Sequence, residues 1–161
     1  MWPSIALLAF VTLQRLVELP IANANTKRLL ASGGHEVGAG HYQLIVALHA
    51  SWLVTLWLLA PTRPIEIPFL LSFLIILAGR IWVLRTLGRR WTTRIIVVPG
   101  EQLVRTGPYR IVDHPNYLVV IGEVAVLPLV FGLWQVSLIF SILNAAILAV
   151  RIKAENSALG R

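Results

Sequence analysis

The chain has 161 residues, of which 57% are hydrophobic and only 13% are charged, whereas an ordinary soluble domain has about 45–50% and about 25%. A domain of this size has too much surface for its volume to hide so many apolar side chains from water, which excludes a soluble enzyme and a disordered tail and leaves an integral membrane protein. The absence of cysteine excludes disulfides and thiolate chemistry. The net charge of +7 does not indicate a nucleic-acid partner, because basic residues in a membrane protein first report its orientation.

Three apolar stretches in the first half of the chain predict membrane-spanning helices, each of which needs about 20 mostly apolar residues. They cover approximately residues 3–22, 42–60 and 67–87. No positive residue precedes the first stretch and no small-residue cleavage site follows it, so we expect it to be retained as a span rather than removed as a signal peptide.

A fourth apolar stretch, residues 117–150, is too long for one span and contains a break at residues 131–135. We expect a hairpin of two short helices there, the first bent by Pro128. The predicted fold class is therefore an all-α integral membrane protein with about five transmembrane helices. The single domain 1–161 divides into three N-terminal spans (1–87), a polar cytoplasmic loop (88–116) and the hairpin with its C-terminal motif (117–161).

Two polar segments connect these spans. The first, residues 23–40, is rich in glycine, and we expect it to be irregular. In the second, residues 88–116, the β-prone runs 95–98 and 102–104 flank a turn at 99–101, which predicts either a small hairpin or two extended strips. We expect any chemistry that uses water-soluble reagents to take place in this second segment.

The basic residues are distributed very unevenly over the predicted loops. Eleven of the 14 lie in the first loop, in or beside the third loop, or in the C-terminal tail, whereas the second loop has only Arg63 and two others lie within spans. Five spans place those eleven on one side of the membrane. Because cytoplasmic loops carry an excess of Lys and Arg, we expect the N-terminus outside and the C-terminus in the cytoplasm.

The densest group of polar side chains is at residues 105–117, directly before the fourth span. The start of a helix offers free backbone N–H groups and positive potential, which suit a carboxylate or a phosphate, and His114 and Tyr117 add directed donors. The alternative is a plain helix-start turn, in which Asp113 or His114 precedes the first helical residue, Pro115, and the tyrosine lies in the interfacial belt.

Arg151 and Glu155 lie four residues apart at the end of the last span, so they share one helix face. One interpretation is a surface ion pair at the membrane edge. The other is a binding role, which is favoured if this helix end packs against the His114 loop, because a carboxylate binds an ammonium or ribose hydroxyls and a guanidinium orients an acid.

Charged residues also lie inside the first and third spans. Arg15 and Glu18, three residues apart and next to Gln14, can neutralise each other, and they either anchor the first helix or belong to the site. We expect Arg80 to extend its side chain to the nearby interface.

His41 and His49 lie eight residues apart on the second span, which separates them by about 80° of rotation and about 12 Å of rise. Both can therefore face one crevice, where they either line a substrate cavity or act as hydrogen-bonded structural residues. No third ligand lies at a suggestive spacing, so we expect no metal site.

Several of these motifs, taken in order, are recognisable. Residues 103–109 (LVRTGPY), residues 114–117 (HPNY), a helical hairpin and the pair Arg151 and Glu155 resemble the membrane methyltransferases related to isoprenylcysteine carboxyl methyltransferase. The N-terminal part, with residues 14–18 (QRLVE), residues 40–42 (GHY) and His49, is similar to a shorter bacterial branch encoded beside type III polyketide synthases, whose members O-methylate alkylpyrones.

The resemblance implies S-adenosyl-L-methionine as the methyl donor, held on the cytoplasmic side without a Rossmann domain. It implies that Arg151 orients the acceptor and that Glu155 binds the cofactor, so that both belong to the catalytic group, with His41 and His49 on the acceptor side. The other cofactor-binding residues implied are the backbone strip Gln102, Leu103 and Val104 and the side chains of Tyr109, His114, Pro115, Asn116 and Tyr117.

The sequence departs from the family at two positions. Asp113 stands where an arginine usually precedes His-Pro, so either the acceptor is less anionic or Arg110 substitutes for the missing charge. Asn156 stands where the family has the second of two glutamates. After this motif the sequence continues only to Arg161, and the longer tail of the eukaryotic enzymes is missing, so we expect a small-molecule acceptor rather than a prenylated protein.

The implied reaction is O-methylation of a lipophilic acidic acceptor, an alkylpyrone-like enol or a carboxylate, which enters from the bilayer. Such an acceptor is already anionic near neutral pH, so no dedicated general base is required, and proximity supplies most of the catalysis. The alternatives are isoprenylcysteine carboxyl methylation proper, methylation of a phospholipid amine, for which Arg151 is a poor neighbour, and a non-enzymatic small membrane protein.

The charge asymmetry predicts the topology directly. Reporter fusions placed after Arg161 and within residues 61–64 should report opposite sides of the membrane, with the C-terminal reporter active in the cytoplasm, because the basic loops stay inside. A fusion within residues 99–101 serves as the control and should match the C-terminal one. Matching signals from the first two fusions would contradict the five-span topology.

Overall fold

The computed structural model describes residues 1–160 and consists of five helices with one two-stranded sheet. The helices are α1 (Trp2–Ala31), α2 (Ala39–Leu59), α3 (Ile67–Leu87), α4 (Pro115–Val130) and α5 (Trp134–Leu159), and the strands are β1 (His35–Val37) and β2 (Ile95–Val97). Proline occupies the first turn of α1, α3 and α4, where its missing N–H costs no helical hydrogen bond.

The predicted membrane class and the C-terminal hairpin are confirmed. Four helices, α1, α2, α3 and α5, are long and apolar enough to cross a membrane, and α4 is a shorter apolar helix of 16 residues. Large apolar side chains such as Leu58 and Ile75 are 76% and 73% exposed, which a lipid environment accommodates and water does not. The break at residues 131–133 and the proline inside α4 lie where the sequence placed them.

The first loop is less irregular than the sequence indicates, because α1 continues nine residues past the expected end of the span. Residues 27–31 are good helix formers, so nothing in the local sequence ends the helix there. The side-chain amide of Asn25 donates hydrogen bonds to the carbonyl oxygens of Trp91, at 2.8 Å, and Gly88, at 3.3 Å. The extended helix thereby supports the start of the segment 88–116.

The two β-prone runs do not pair with each other. Ile95–Val97 instead pairs antiparallel with His35–Val37 from the first loop, with Glu36 opposite Ile96. Arg94 fixes this pairing, because its guanidinium donates to the carboxylate of Glu36 at 2.8 Å and lies 4.2 Å from the centre of the Tyr42 ring. Residues 101–105 have no regular secondary structure and no strand partner.

The apolar core and the polar segment lie at opposite ends of the helical bundle. The core is built from the N-terminal half of α1, the second half of α2, the first half of α3 and the last turns of α4, with Leu8, Trp52, Leu56, Phe73, Leu127 and Phe131 fully buried. The other end, which carries residues 88–116, is called the polar end below.

Arg80 does not reach the interface as expected, because its side chain is buried within the bundle at 4% exposure. It donates two hydrogen bonds to the Glu18 carboxylate, one of them from Nε at 2.7 Å, and one from Nη1 to Glu123 Oε2 at 2.9 Å. Arg15 also donates to Glu123 Oε2, at 2.6 Å. These four residues, called the charge cluster below, carry no net charge and join α1, α3 and α4.

The charge cluster predicts a large effect of removing one partner. Arg80→Ala should lower the free energy of unfolding in detergent by about 3–5 kcal/mol, because it leaves two buried carboxylates short of a cation. Arg85→Ala on the same helix, where the side chain is exposed, is the matched control and should change little. Equal unfolding free energies for the two variants would contradict the structural role of the cluster.

Candidate active site

A cavity of about 530 Å³ lies at the polar end of the bundle, between α1, α2, α5 and the segment 88–116. Its size is typical of ligand sites, which occupy about 300–1,000 Å³. One wall of the cavity is apolar and the other is polar. The apolar wall comes from α1 and α2, and the polar wall from the segment 88–116, the start of α4 and the end of α5, with Tyr109, His114, Asn116, Tyr117, Arg151 and Glu155.

Gln102, Leu103 and Val104, which have no regular secondary structure, are among the cavity-lining residues. Arg90 holds these residues in place, because its guanidinium donates to the Gln102 carbonyl at 2.9 Å and pairs with the Glu101 carboxylate at 2.7 Å. Because residues 102–104 have no strand partner, their other backbone polar groups are not engaged in a sheet.

Gly107 brings the next turn close to α3. Its φ is +54°, in the left-handed region, and a Cβ at this position would lie 2.5 Å from Thr86 Oγ1. A residue with a side chain would therefore push this turn, residues 107–110, away from the helix. The turn carries Tyr109 to the cavity wall.

His114 connects the start of α4 to the end of α5. Its Nε2–H donates to Asn156 Oδ1 at 3.0 Å, its Nδ1 lies 3.6 Å from Glu155 Oε2, and its ring packs on Tyr117 with ring centres 5.5 Å apart. Asn156, which departs from the family pattern, therefore has a defined partner. Pro115 is buried as the first residue of α4 and is not among the cavity-lining residues.

Arg151 and Glu155 do not form the isolated surface ion pair that their spacing allowed. Arg151 is only 5% exposed, and its guanidinium donates to the Thr93 carbonyl at 3.0 Å. Both charged groups face the hydroxyl of Tyr117. Oε2 of Glu155 is buried and has no hydrogen-bond partner among residues 1–160.

The hydroxyl of Tyr109 is a donor at neutral pH. Burial, with a smaller contribution from the negative charge of Glu155, raises the pKa of Tyr109 above its ordinary value of about 10. The group therefore stays protonated and cannot accept a proton from a ligand.

Two expectations about the cavity wall are corrected. His49 lines the cavity, but His41 is not among the lining residues, because the rise between them places it at the very start of α2. Asp113 lines the cavity, whereas Arg110 is exposed and does not, so Arg110 does not replace the arginine of the family pattern.

Sequence reasoning missed part of the wall. Thr93, whose carbonyl anchors Arg151, and the neighbouring side chains of β2 line the cavity opposite α5. Arg15 and Glu18, for which a place in the site was one of two expectations, line it as well, and so does Arg80, which was expected at the interface; the charge cluster therefore forms part of the site wall. The only sequence signal for these contacts was the occurrence of charges inside apolar spans.

Fold and cavity together define an integral membrane protein with a ligand-sized site at one end of a helical bundle. The sequence profile of the isoprenylcysteine carboxyl methyltransferase (ICMT) family matches residues 68–161. The chain is 37% identical over 158 residues to the uncharacterized protein YpbQ of Bacillus subtilis (strain 168), covering 95% of this chain and 94% of the relative. It is 27% identical over 151 residues to an uncharacterized protein of Haemophilus influenzae, covering 90% and 88%.

No solved structure matches the chain. The profile match and the extent of the Bacillus relative show that the chain belongs to the ICMT family. Membership of this family indicates a membrane methyltransferase.

Proposed function

We propose that this protein is an S-adenosylmethionine-dependent O-methyltransferase that acts on a lipophilic acidic acceptor, an alkylpyrone-like enol or a carboxylate, at the cytoplasmic face of a bacterial inner membrane. The observation that carries the proposal is the single cavity with an apolar wall from α1 and α2 and a polar wall around Arg151 and Glu155. One wall suits a long apolar tail, and the other suits a charged, water-soluble donor.

The unpaired Glu155 Oε2 is the feature that fits the cofactor. A buried carboxylate oxygen without a donor is costly unless a ligand supplies one. S-adenosylmethionine carries an ammonium and two ribose hydroxyls, and each of these groups is a donor. The residues that would hold it are Gln102, Leu103, Val104, Tyr109, His114, Asn116, Tyr117 and Glu155, and when bound it supplies an electrophilic methyl group on a sulfonium.

Arg151 is the group we assign to the acceptor. Its guanidinium is buried, is oriented by the Thr93 carbonyl, and lies beside Tyr117. A planar guanidinium presents two parallel donors to an acidic head group and so fixes its direction. The reaction then requires mainly that the acceptor oxygen is aligned with the donor methyl group. Holding the two reactants close together in this way accelerates methyl transfer strongly.

The apolar wall supports entry of the acceptor from the bilayer. Leu16 of α1 and Val46 of α2 line the cavity and are 58% and 47% exposed on the bundle surface. Side chains that border both the cavity and the lipid suit a tail that enters between these two helices. The donor reaches the polar end from water, and the segment 88–116 must open for its exchange.

Cofactor binding tests the polar wall. His114→Ala and Glu155→Ala should each weaken binding of S-adenosylhomocysteine by about 1–3 kcal/mol. Each substitution removes a hydrogen-bonding side chain and leaves a buried polar group in the complex without a hydrogen bond. Isothermal titration of the detergent-purified protein measures the change. Glu66→Ala, at an exposed position at the opposite end of the bundle, is the control, and unchanged binding in both site variants with the fold intact would remove them from the cofactor site.

Acceptor turnover tests the apolar wall and Arg151. Methyl transfer to a series of alkylpyrones should rise with chain length until the cavity is full, because each buried methylene contributes about 0.8 kcal/mol, or about fourfold. Arg151→Ala should reduce methyl transfer much more than cofactor binding, and Arg151→Lys should restore it only in part.

Lys153→Ala, exposed on the same helix end, is the matched control for these variants. Preference for a farnesylated cysteine analogue would favour isoprenylcysteine carboxyl methylation instead. Absence both of transfer to any lipophilic acid and of cofactor binding would favour a non-enzymatic membrane protein.

A further inference from the structure

A second cavity, of about 330 Å³, lies between α1 and α3 at the polar end of the bundle. Its volume is within the range of about 300–1,000 Å³ that ligand sites occupy. The residues that form its wall come from α1, from the end of α3 and from the start of the segment 88–116, and include Glu18, Ile21, Asn25, Leu84, Arg89 and Trp91. Of these, only Glu18 and Trp91 also line the larger cavity.

Two guanidinium groups border this second cavity without a carboxylate partner. Arg89 lines the cavity, and Arg28 lies beside it, because its Nη1 donates to Asn25 Oδ1 at 3.2 Å. Neither arginine forms an ion pair with a carboxylate of residues 1–160. Glu18, the one acid in the wall, is neutralised from inside the bundle by two hydrogen bonds from Arg80. The cavity therefore has an uncompensated positive charge, which suits an anion.

Trp91 adds a hydrogen-bond donor that lacks an acceptor. The residue is only 3% exposed, and its Nε1 has no partner among residues 1–160. An indole N–H can only donate, and leaving it buried without an acceptor costs free energy. The side-chain amide of Asn25 fixes Trp91 at the cavity by donating to its carbonyl oxygen at 2.8 Å. An oxygen atom of a ligand in the cavity would supply the missing acceptor.

The apolar side of the cavity borders the surface that a bilayer would cover. Ile21 is 50% exposed, and Leu84 is partly exposed one turn before the end of α3. Val17, which is four residues before Ile21 and therefore on the same face of α1, is 52% exposed. A ligand with acyl chains gains from contact with these side chains, whereas a small water-soluble anion does not.

We propose that this cavity binds the head group of an anionic phospholipid. The phosphate lies between Arg89 and Arg28, a lipid oxygen accepts from the indole N–H of Trp91, and the acyl chains follow Ile21 and Leu84 into the bilayer. Basic pockets between membrane-spanning helices are a recurrent form of site for anionic lipids. The inference does not depend on the proposed methyltransferase reaction.

Binding of short-chain lipids to delipidated protein in a neutral detergent tests this site. Dioctanoyl phosphatidylglycerol and dioctanoyl phosphatidylcholine are titrated separately by calorimetry at about 0.15 M salt, where exposed charges more than about 8 Å apart are largely screened. Wild-type protein should bind one phosphatidylglycerol per chain. It should bind phosphatidylcholine about tenfold more weakly, because the choline cation offsets the phosphate charge beside two arginines.

Three substitutions locate the binding. Arg89→Ala should weaken phosphatidylglycerol binding by about tenfold or more, because a charge-assisted hydrogen bond to the phosphate is lost. Arg85→Ala is the matched control, since this arginine is also exposed near the end of α3 but does not line the cavity, and it should change the affinity by less than about twofold. Trp91→Phe, which keeps a ring and removes the N–H, should weaken binding by about fivefold. If Trp91→Phe does not fold, Arg89→Gln, at an exposed position, is the second variant and should match Arg89→Ala.

The outcomes that would overturn the site are specific. Equal losses for Arg85→Ala and Arg89→Ala would assign the binding to diffuse attraction by a basic surface, and equal affinities for the two lipids would remove the charge argument. Displacement of phosphatidylglycerol by inorganic phosphate at the same concentration would show that a free anion, not a phospholipid, is recognised. Titration of the same samples with S-adenosylhomocysteine keeps the two proposals apart, because a failure to bind it would defeat the proposed function and leave the lipid result unchanged.

Discussion

The pairing of Arg80 with Glu18 and Glu123 is the interaction on which the arrangement of the bundle depends. In a membrane an unpaired buried charge is costly, so α1, α3 and α4 must meet in the register that brings these three side chains together. Arg15 completes the charge balance, and three of the four residues also face the cavity. The same charges therefore position the helices and form part of the wall of the site.

A series of contacts connects this arrangement of the helices to the polar end of the bundle. Asn25 of the extended α1 holds the carbonyl of Trp91, and the β1–β2 pairing ties the first loop to the segment 88–116. The Thr93 carbonyl then orients Arg151 of α5, and His114 joins the start of α4 to Asn156. Through these contacts, the position of α1 determines the positions of the residues proposed to bind the two ligands.

The sequence predicted the parts of this structure that depend on local pattern. Continuous apolar runs and proline positions indicated the membrane class, α3 and the C-terminal hairpin. Partner choice across distant segments could not be predicted, because alternation identifies a β-prone run such as 95–98 but not the strand that pairs with it. In the same way, Arg80 was expected at the interface because that interface is nearby along the chain, whereas its contacts with Glu18 and Glu123 depend on how distant helices pack. The family motifs indicated most of the residues of the polar wall, whereas the contact between Arg151 and the Thr93 carbonyl could only be found in the folded structure.

The central claim is that one cavity holds a polar donor and a lipophilic acceptor at the same time. The most direct measurement is calorimetric titration of an alkylpyrone into detergent-purified protein already saturated with S-adenosylhomocysteine. The account predicts that one acceptor binds per chain without displacing the nucleoside, because the two ligands occupy different walls of the cavity. Displacement of S-adenosylhomocysteine by the alkylpyrone, or the absence of binding of either ligand, would contradict it.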